Sequence, residues 1–308
     1  MEPGCGCRFI VEPHTFIPIP NLNLNPNPNP SNPETGETKM STSTSTAKKY
    51  PLPNGREYVS RNLAGYENDV EGMRQLAESG KHTLLLGDPG TGKTALFQAA
   101  FPDSENEIGH SKLTAWDMLW RPRPMPDGSI VFDPSPLTRA ATQGKPFYFD
   151  EIMRCSEDAL TPLYSAMDGR GFIVGGNLDG TDMPVEPGFV VIAASNPLVR
   201  GAFLPDAIAS RFHIIDVQIS EALLQELNLN DRLMTLWRNL SMHEGGDTWR
   251  PSIRELLAAQ SFIDEGNWAQ AAGAVSGYRV PARDREMVAG IVSPLFATRV
   301  EKLGSTIK

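Results

Sequence analysis

"LLLGDPGTGKTALFQAAF", residues 84–101, is the stretch on which the fold class turns. Inside it, Gly87-Asp88-Pro89-Gly90-Thr91-Gly92-Lys93-Thr94 matches G-x-x-x-x-G-K-[ST] in full. Leu84, Leu85 and Leu86 precede the motif as the apolar run of a buried strand, and residues 95–100 follow as good helix formers. Strand, loop and helix in that order let backbone N–H groups curl around phosphate oxygens, while the helix N-terminus adds partial positive charge. Lys93 is expected to reach the β- and γ-phosphates, and the Thr94 hydroxyl to ligate Mg²⁺. A glycine-rich turn that merely starts a helix would not need all eight positions and both flanks to be right. The chain is expected to bind a nucleotide.

Working outward, "PFYFDEI" (residues 146–152) is an apolar strand ending in two acids. Asp150 is placed to hold Mg²⁺ through its water shell, and Glu151 to polarise the water that attacks the γ-phosphate. Capping of the next helix is the competing role for such a pair. A carboxylate beside Asp150 suits hydrolysis better than transfer to a small acceptor. "FVVIAASNP" (residues 189–197) is another buried strand, with Asn196 at its carboxyl end, where open α/β sheets bind ligands. Asn196 is placed to bond the γ-phosphate or the lytic water, although Asn before Pro also forms turns. Arg211, in "LPDAIASRFHIIDV", falls between a short helix and the next strand. Arg254, in "RPSIRELLAA", falls in the first turn of a helix, where a cation opposes the dipole and calls for an anion.

From residue 50, strand and helix patterns alternate, the mark of a parallel sheet with helices on both faces. Besides the loop strand, strands are expected near 107–109, 146–150, 188–194 and 212–219. Helices are expected near 67–79, 114–119, 157–168 and 205–210. Hairpins should turn at Pro126-Asp127-Gly128 and near Asp179-Gly180. Residues 220–240, 252–266 and 281–296 carry amphipathic helical patterns, which make a small helical second domain. The organisation expected is a disordered segment 1–49, an α/β domain 50–219 and a helical lid 220–308. "NLNLNPNPNP" and "STSTST" cannot bury a core. The first twenty residues lack the basic start of a secretory signal, and Met40 is a candidate alternative start.

The 308 residues carry a formal net charge of −9, which disfavours nonspecific binding to nucleic acid or anionic membrane. Apolar runs are too short to cross a bilayer. Three cysteines make no disulfide framework, so a reducing, cytoplasmic setting is expected. Cys5 and Cys7 alone rarely build a metal site, and Cys155 reads as a small apolar residue. Trp116 and Trp120 are candidates for a pore or for the core.

With GDPGTGKT, "SPLTRAATQGKPFYFDEIMR", "FVVIAASNP", "LPDAIASRF" and "SIRE" in this order, the chain resembles an AAA+ ATPase of the MoxR-like and dynein-related branch. The two hairpins sit where that branch inserts them. The resemblance implies a P-loop α/β fold with a five-stranded parallel sheet and a helical lid. It makes residues 87–94 Walker A, Asp150 and Glu151 Walker B, Asn196 sensor 1, Arg211 the arginine finger and Arg254 sensor 2. It also implies ATP with Mg²⁺ and self-association into a ring, usually a hexamer. The implied client is a separate protein, of the kind with a von Willebrand A domain or a metal cofactor. No Asn-Lys-x-Asp guanine reader appears, so ATP rather than GTP is expected. A nucleic-acid motor or helicase-loader-like ATPase is the alternative. A monomeric phosphotransferase with a helical lid is a third class.

Overall fold

The computed structural model describes residues 47–196, 204–242, 249–277 and 279–297. The expectations for residues 1–46, including Cys5, Cys7 and Met40, lie outside the described residues.

A short antiparallel pair, β1 (Lys49–Pro51) and β2 (Glu57–Val59), leads into α1 (Asp69–Glu78). Asn68 caps α1 by accepting from the backbone of Val70 and Glu71. Then come β3 (Thr83–Leu86), α2 (Lys93–Ala100), β4 (Glu105–Ile108), and a hairpin of β5 (Trp120–Pro124) and β6 (Ile130–Pro134). They are followed by α3 (Pro136–Gln143), β7 (Pro146–Asp150), α4 (Thr161–Met167), and a second hairpin of β8 (Phe172–Ile173) and β9 (Met183–Pro184). The α/β part closes with β10 (Val190–Ser195), α5 (Asp206–Ala209) and β11 (His213–Asp216).

The sheet is five-stranded, in the order β11-β3-β10-β7-β4, and every pairing is parallel. Sequence chemistry follows position. Central β10, VVIAAS, is buried at all six residues, as a strand covered on both faces must be. The edge strands β4, ENEI, and β11, HIID, carry charge and stay largely exposed, which blunts their unpaired edges. Side chains alternate between two cores. Phe147, Phe149, Val191 and Ala193 pack with Leu137 and Leu163 on one face. Tyr148, Ile192 and Ala194 pack with Val70, Leu85 and Leu96 on the other.

After β11 only helices follow among the described residues: α6 (Glu221–Glu226), α7 (Asp231–Ser241), α8 (Ile253–Asp264), α9 (Trp268–Ala274) and α10 (Arg285–Phe296). They build their own core from Leu233, Leu236, Leu256, Val288, Val292 and Phe296, among others.

Local chemistry overrode the sequence pattern in places. Residues 114–119 form turns rather than a helix. There Thr114 and Asp117 bond each other's side chains and backbone, offering the chain a turn in place of helical bonds. Residues 220–240 split into α6 and α7 because Asn228 adopts a left-handed φ of 51° and Asn230 caps the new helix. Both hairpins turn where expected: Met125 and Ser129 close the first, and Trp120 Nε1 donates to the Gly176 carbonyl at 2.7 Å, tying the two together. Trp120 is therefore partly buried, while Trp116 is exposed and edge-on to Phe132.

Candidate active site

Three parallel strands end side by side at their carboxyl ends. β3 runs into the glycine loop, β7 ends at Asp150, and Asn196 follows β10. Ser195 pairs in register with Leu86, so Asn196 stands level with Gly87. Gly87 fits only without a side chain: a Cβ there would lie 2.4 Å from the Val217 carbonyl, at the exit of β11. Lys93 folds over the loop, donating to the carbonyls of Gly87 at 2.7 Å and Asp88 at 3.0 Å. Burial lowers its pKa, opposed by the nearby carboxylates of Asp150, Glu151 and Asp88. Thr91 is buried and closes the loop by donating to the Asp88 carbonyl at 2.9 Å.

The Thr94 hydroxyl donates to Asp150 Oδ2 at 3.1 Å and lies 3.1 Å from the Tyr148 hydroxyl. Burial raises the pKa of Tyr148, so it stays a neutral donor beside Asp150. Among the described residues no cluster of three or more His, Cys, Asp or Glu could hold a metal by itself. The Thr94–Asp150 oxygen pair suits Mg²⁺, a hard cation that takes one or two protein oxygens and completes its shell with phosphate and water. The pair therefore fits the ion that the fold implies.

Glu151 is held at φ 54° and ψ 36°, a left-handed conformation costly for any residue but glycine. Its Oε2 is buried without a hydrogen-bond partner and lies 3.4 Å from Arg154 Nε. A carboxylate oxygen with no hydrogen bond, held only by that ion pair on a strained backbone next to the phosphate loop, suits a general base that takes a proton from water.

The helical part also reaches the loop. A Cβ on Gly90 would meet Ser252 Cβ at 2.7 Å and Arg254 Cβ at 3.6 Å. Ser252 and Glu255 form a capping box at the start of α8, which fixes the first turn and with it Arg254. Arg254 thus joins the loop, Asp150, Glu151 and Asn196 at one end of the sheet.

Arg211 does not. It lies just before β11, whose first residue His213 pairs with Thr83 at the start of β3. The chain's own phosphate loop is at the far end of β3, ~10 Å along the strand. Arg211 Nη1 donates to the Ala207 carbonyl, and its guanidinium lies 5.6 Å from the Tyr164 ring centroid. There it lines a cavity of about 490 Å³ with Tyr164, Asp168 and Arg170. Tyr148 and Ser252 were not visible as site residues in the sequence, because each looks like ordinary strand or cap chemistry until the fold brings it to the loop.

Fold and site together define a P-loop ATPase of the AAA+ class. Residues 82–212 match the model of the AAA domain, dynein-related subfamily. Those residues carry an AAA domain of that subfamily, and the chain is an ATP hydrolase. The chain is 28% identical over 208 residues to the uncharacterized protein YojN of Bacillus subtilis, covering 58% of this chain and 66% of that one. It is 32% identical over 118 residues to protein NorQ of Paracoccus denitrificans, covering 37% and 43%. It is 29% identical over 149 residues to the Holliday junction branch migration complex subunit RuvB of Arthrobacter sp., covering 46% and 36%. The matched stretches thus span less than two thirds of those three relatives. No helix among the described residues is long and apolar enough to cross a membrane.

Proposed function

We propose that the chain is a ring-forming ATPase, working as a hexamer in the cytoplasm, that couples ATP hydrolysis to remodelling or activating a separate protein. The observation that carries this is the split of the site. Loop, acids, Asn196 and Arg254 gather at one end of the sheet, and Arg211 stands at the other, out of reach of its own nucleotide. An arginine so placed serves a site on an adjacent copy.

In this reading Lys93 and the loop amides of residues 87–94 hold the β- and γ-phosphates, and Thr94 and Asp150 hold Mg²⁺. The ion, when bound, neutralises phosphate charge. Glu151 takes the proton of the attacking water, Asn196 orients that water or the γ-phosphate, and Arg254 contacts the phosphates from the helical side. Residues 50–219 then act as the catalytic domain and 220–308 as a lid, the separate helical core supporting that division. The client is a protein with a von Willebrand A domain or a metal cofactor, a reading that rests on the MoxR-like resemblance.

The likeness to RuvB favours a second reading, a nucleic-acid motor. A net charge of −9 weighs against it. Specific ATPase activity measured against protein concentration tests the proposal: it should rise steeply as subunits assemble and ignore added DNA. Constant activity of a monomer would refute the ring, and salt-sensitive stimulation by DNA would select the motor.

A further inference from the structure

The segment ahead of the phosphate loop carries a buried charge network that none of the motifs includes. Arg61 is 5% exposed and is the one buried arginine among the described residues. Its Nε donates to Asp69 Oδ2 at 3.0 Å, and its backbone N–H donates to Oδ1 at 3.1 Å. The Tyr58 hydroxyl donates to the same carboxylate. Nη1 donates to the Thr91 carbonyl at 2.9 Å and to the Gln218 carbonyl at 3.2 Å. Nη2 is enclosed and has no partner. A Cβ on Gly92 would lie 3.7 Å from that Nη2, so the idle donor sits against the residue immediately before Lys93. The charge is felt at Lys93, where it opposes protonation.

Asp69 already neutralises this guanidinium, and Thr91 and Gln218 already anchor it. A purely structural arginine would have no reason to keep one N–H group dry and unbonded, because a buried donor without an acceptor is destabilising. A vacant, charged donor beside a phosphate loop calls for an anionic oxygen. We propose that Arg61 is a further nucleotide-binding residue: Nη1 holds the loop through Thr91, and Nη2, covered in this conformation, donates to a phosphate oxygen once the loop rearranges around the bound nucleotide. This rests on the loop being the nucleotide site. It adds a third cation in cis, after Lys93 and Arg254, delivered from the segment before α1. Because Nη1 also bonds Gln218, just past β11, the same side chain links the occupied loop to the chain that leads into α6.

The test is calorimetric titration of ATP and ADP into the full chain and into two variants. Arg61→Lys keeps the charge and loses the fork. Arg61→Met combined with Asp69→Asn removes the pair without stranding a carboxylate. Affinity for both nucleotides should fall about 10- to 100-fold in each folded variant, the range expected for a lost hydrogen bond to a charged group. Nucleotide-free melting, followed alongside, separates folding from binding. A variant with a lowered melting temperature and affinity within about twofold of the parent would overturn the proposal and leave a structural arginine. A parent chain that binds neither nucleotide would instead overturn the nucleotide site itself. ¹⁵N-arginine labelling of the unaltered protein needs no substitution: its slowly exchanging, buried guanidinium resonance should shift on adding ADP. An unmoved resonance at saturating ADP would equally reject the contact.

Discussion

At the end of β7, Glu151 stands with φ 54°, a carboxylate oxygen that makes no hydrogen bond and one 3.4 Å ion pair to Arg154, and Asp150 as its neighbour. A left-handed non-glycine residue costs about 1–3 kcal/mol and persists only where surrounding structure enforces it. That strain turns the side chain away from helix capping, the competing role for an acid in this place, and indeed no capping bond from Glu151 is present. Glu151→Gln should bind ATP with near-normal affinity and hydrolyse it about 10²- to 10⁴-fold more slowly, as expected when a general base is lost. Phosphate release under saturating ATP measures it; a near-normal rate would make the carboxylate dispensable. Lys93→Ala removes the ammonium that now bridges the Gly87 and Asp88 carbonyls and should abolish measurable binding of ATP in the same titration. Lys93, Thr94, Asp150 and Glu151 were legible in the sequence because phosphate chemistry restricts residue type at fixed spacing. Arg61 and Tyr148 were not, because their partners, Thr91 at 30 residues and Thr94 at 54 residues' separation, meet only in the fold.

At the scale of elements, α8 meets the phosphate loop through its first turn. Ser252 caps that turn, shares a capping box with Glu255 and packs where a Gly90 side chain would go. Ser252→Ala should cost about 1 kcal/mol of stability. In a chain of this size that is roughly a 2–4 °C drop in melting temperature. Nucleotide affinity should fall with it, because the turn that carries Arg254 loosens; an unchanged melt would show that the box contributes nothing. Gly90→Ala asks more of the same contact. Its φ of 83° strains any side chain, and the added carbon would press on Ser252, so both stability and binding should drop, as melting with and without ADP would record. Buried strands were the most legible elements: 146–150 was placed to the residue, because PFYFD has a continuous apolar run bounded by turn-formers. Residues 114–119 read as helix because apolar spacing hides the Thr114–Asp117 side-chain bonds. Helix α3 was missed although Ser135, Pro136 and Gly144 are start and stop signals, since only eight residues separate cap from cap. Helix α9 in the helical part, likewise not expected, is shorter still, at seven residues.

For the whole molecule, the decisive relation is between the two ends of the parallel sheet. Parallel strands put every loop that follows a strand at one end and every segment that precedes one at the other. Arg211 precedes β11, so the topology itself keeps it from the phosphate loop after β3. Its motif position was legible in the sequence; the end of the sheet it occupies required the register of β11 on β3. An arginine supplied by a neighbour is worth about 10³- to 10⁵-fold in rate, so Arg211→Ala should bind ATP but hydrolyse it very slowly. The most direct measurement mixes two inactive proteins, Arg211→Ala and Glu151→Gln, and follows ATP hydrolysis after subunits exchange. Some interfaces then pair an intact Glu151 with an intact Arg211 from the adjoining copy. Activity well above that of either protein alone is the expected result. Full hydrolysis by Arg211→Ala on its own, from a monomer at every concentration, would contradict a site completed between subunits.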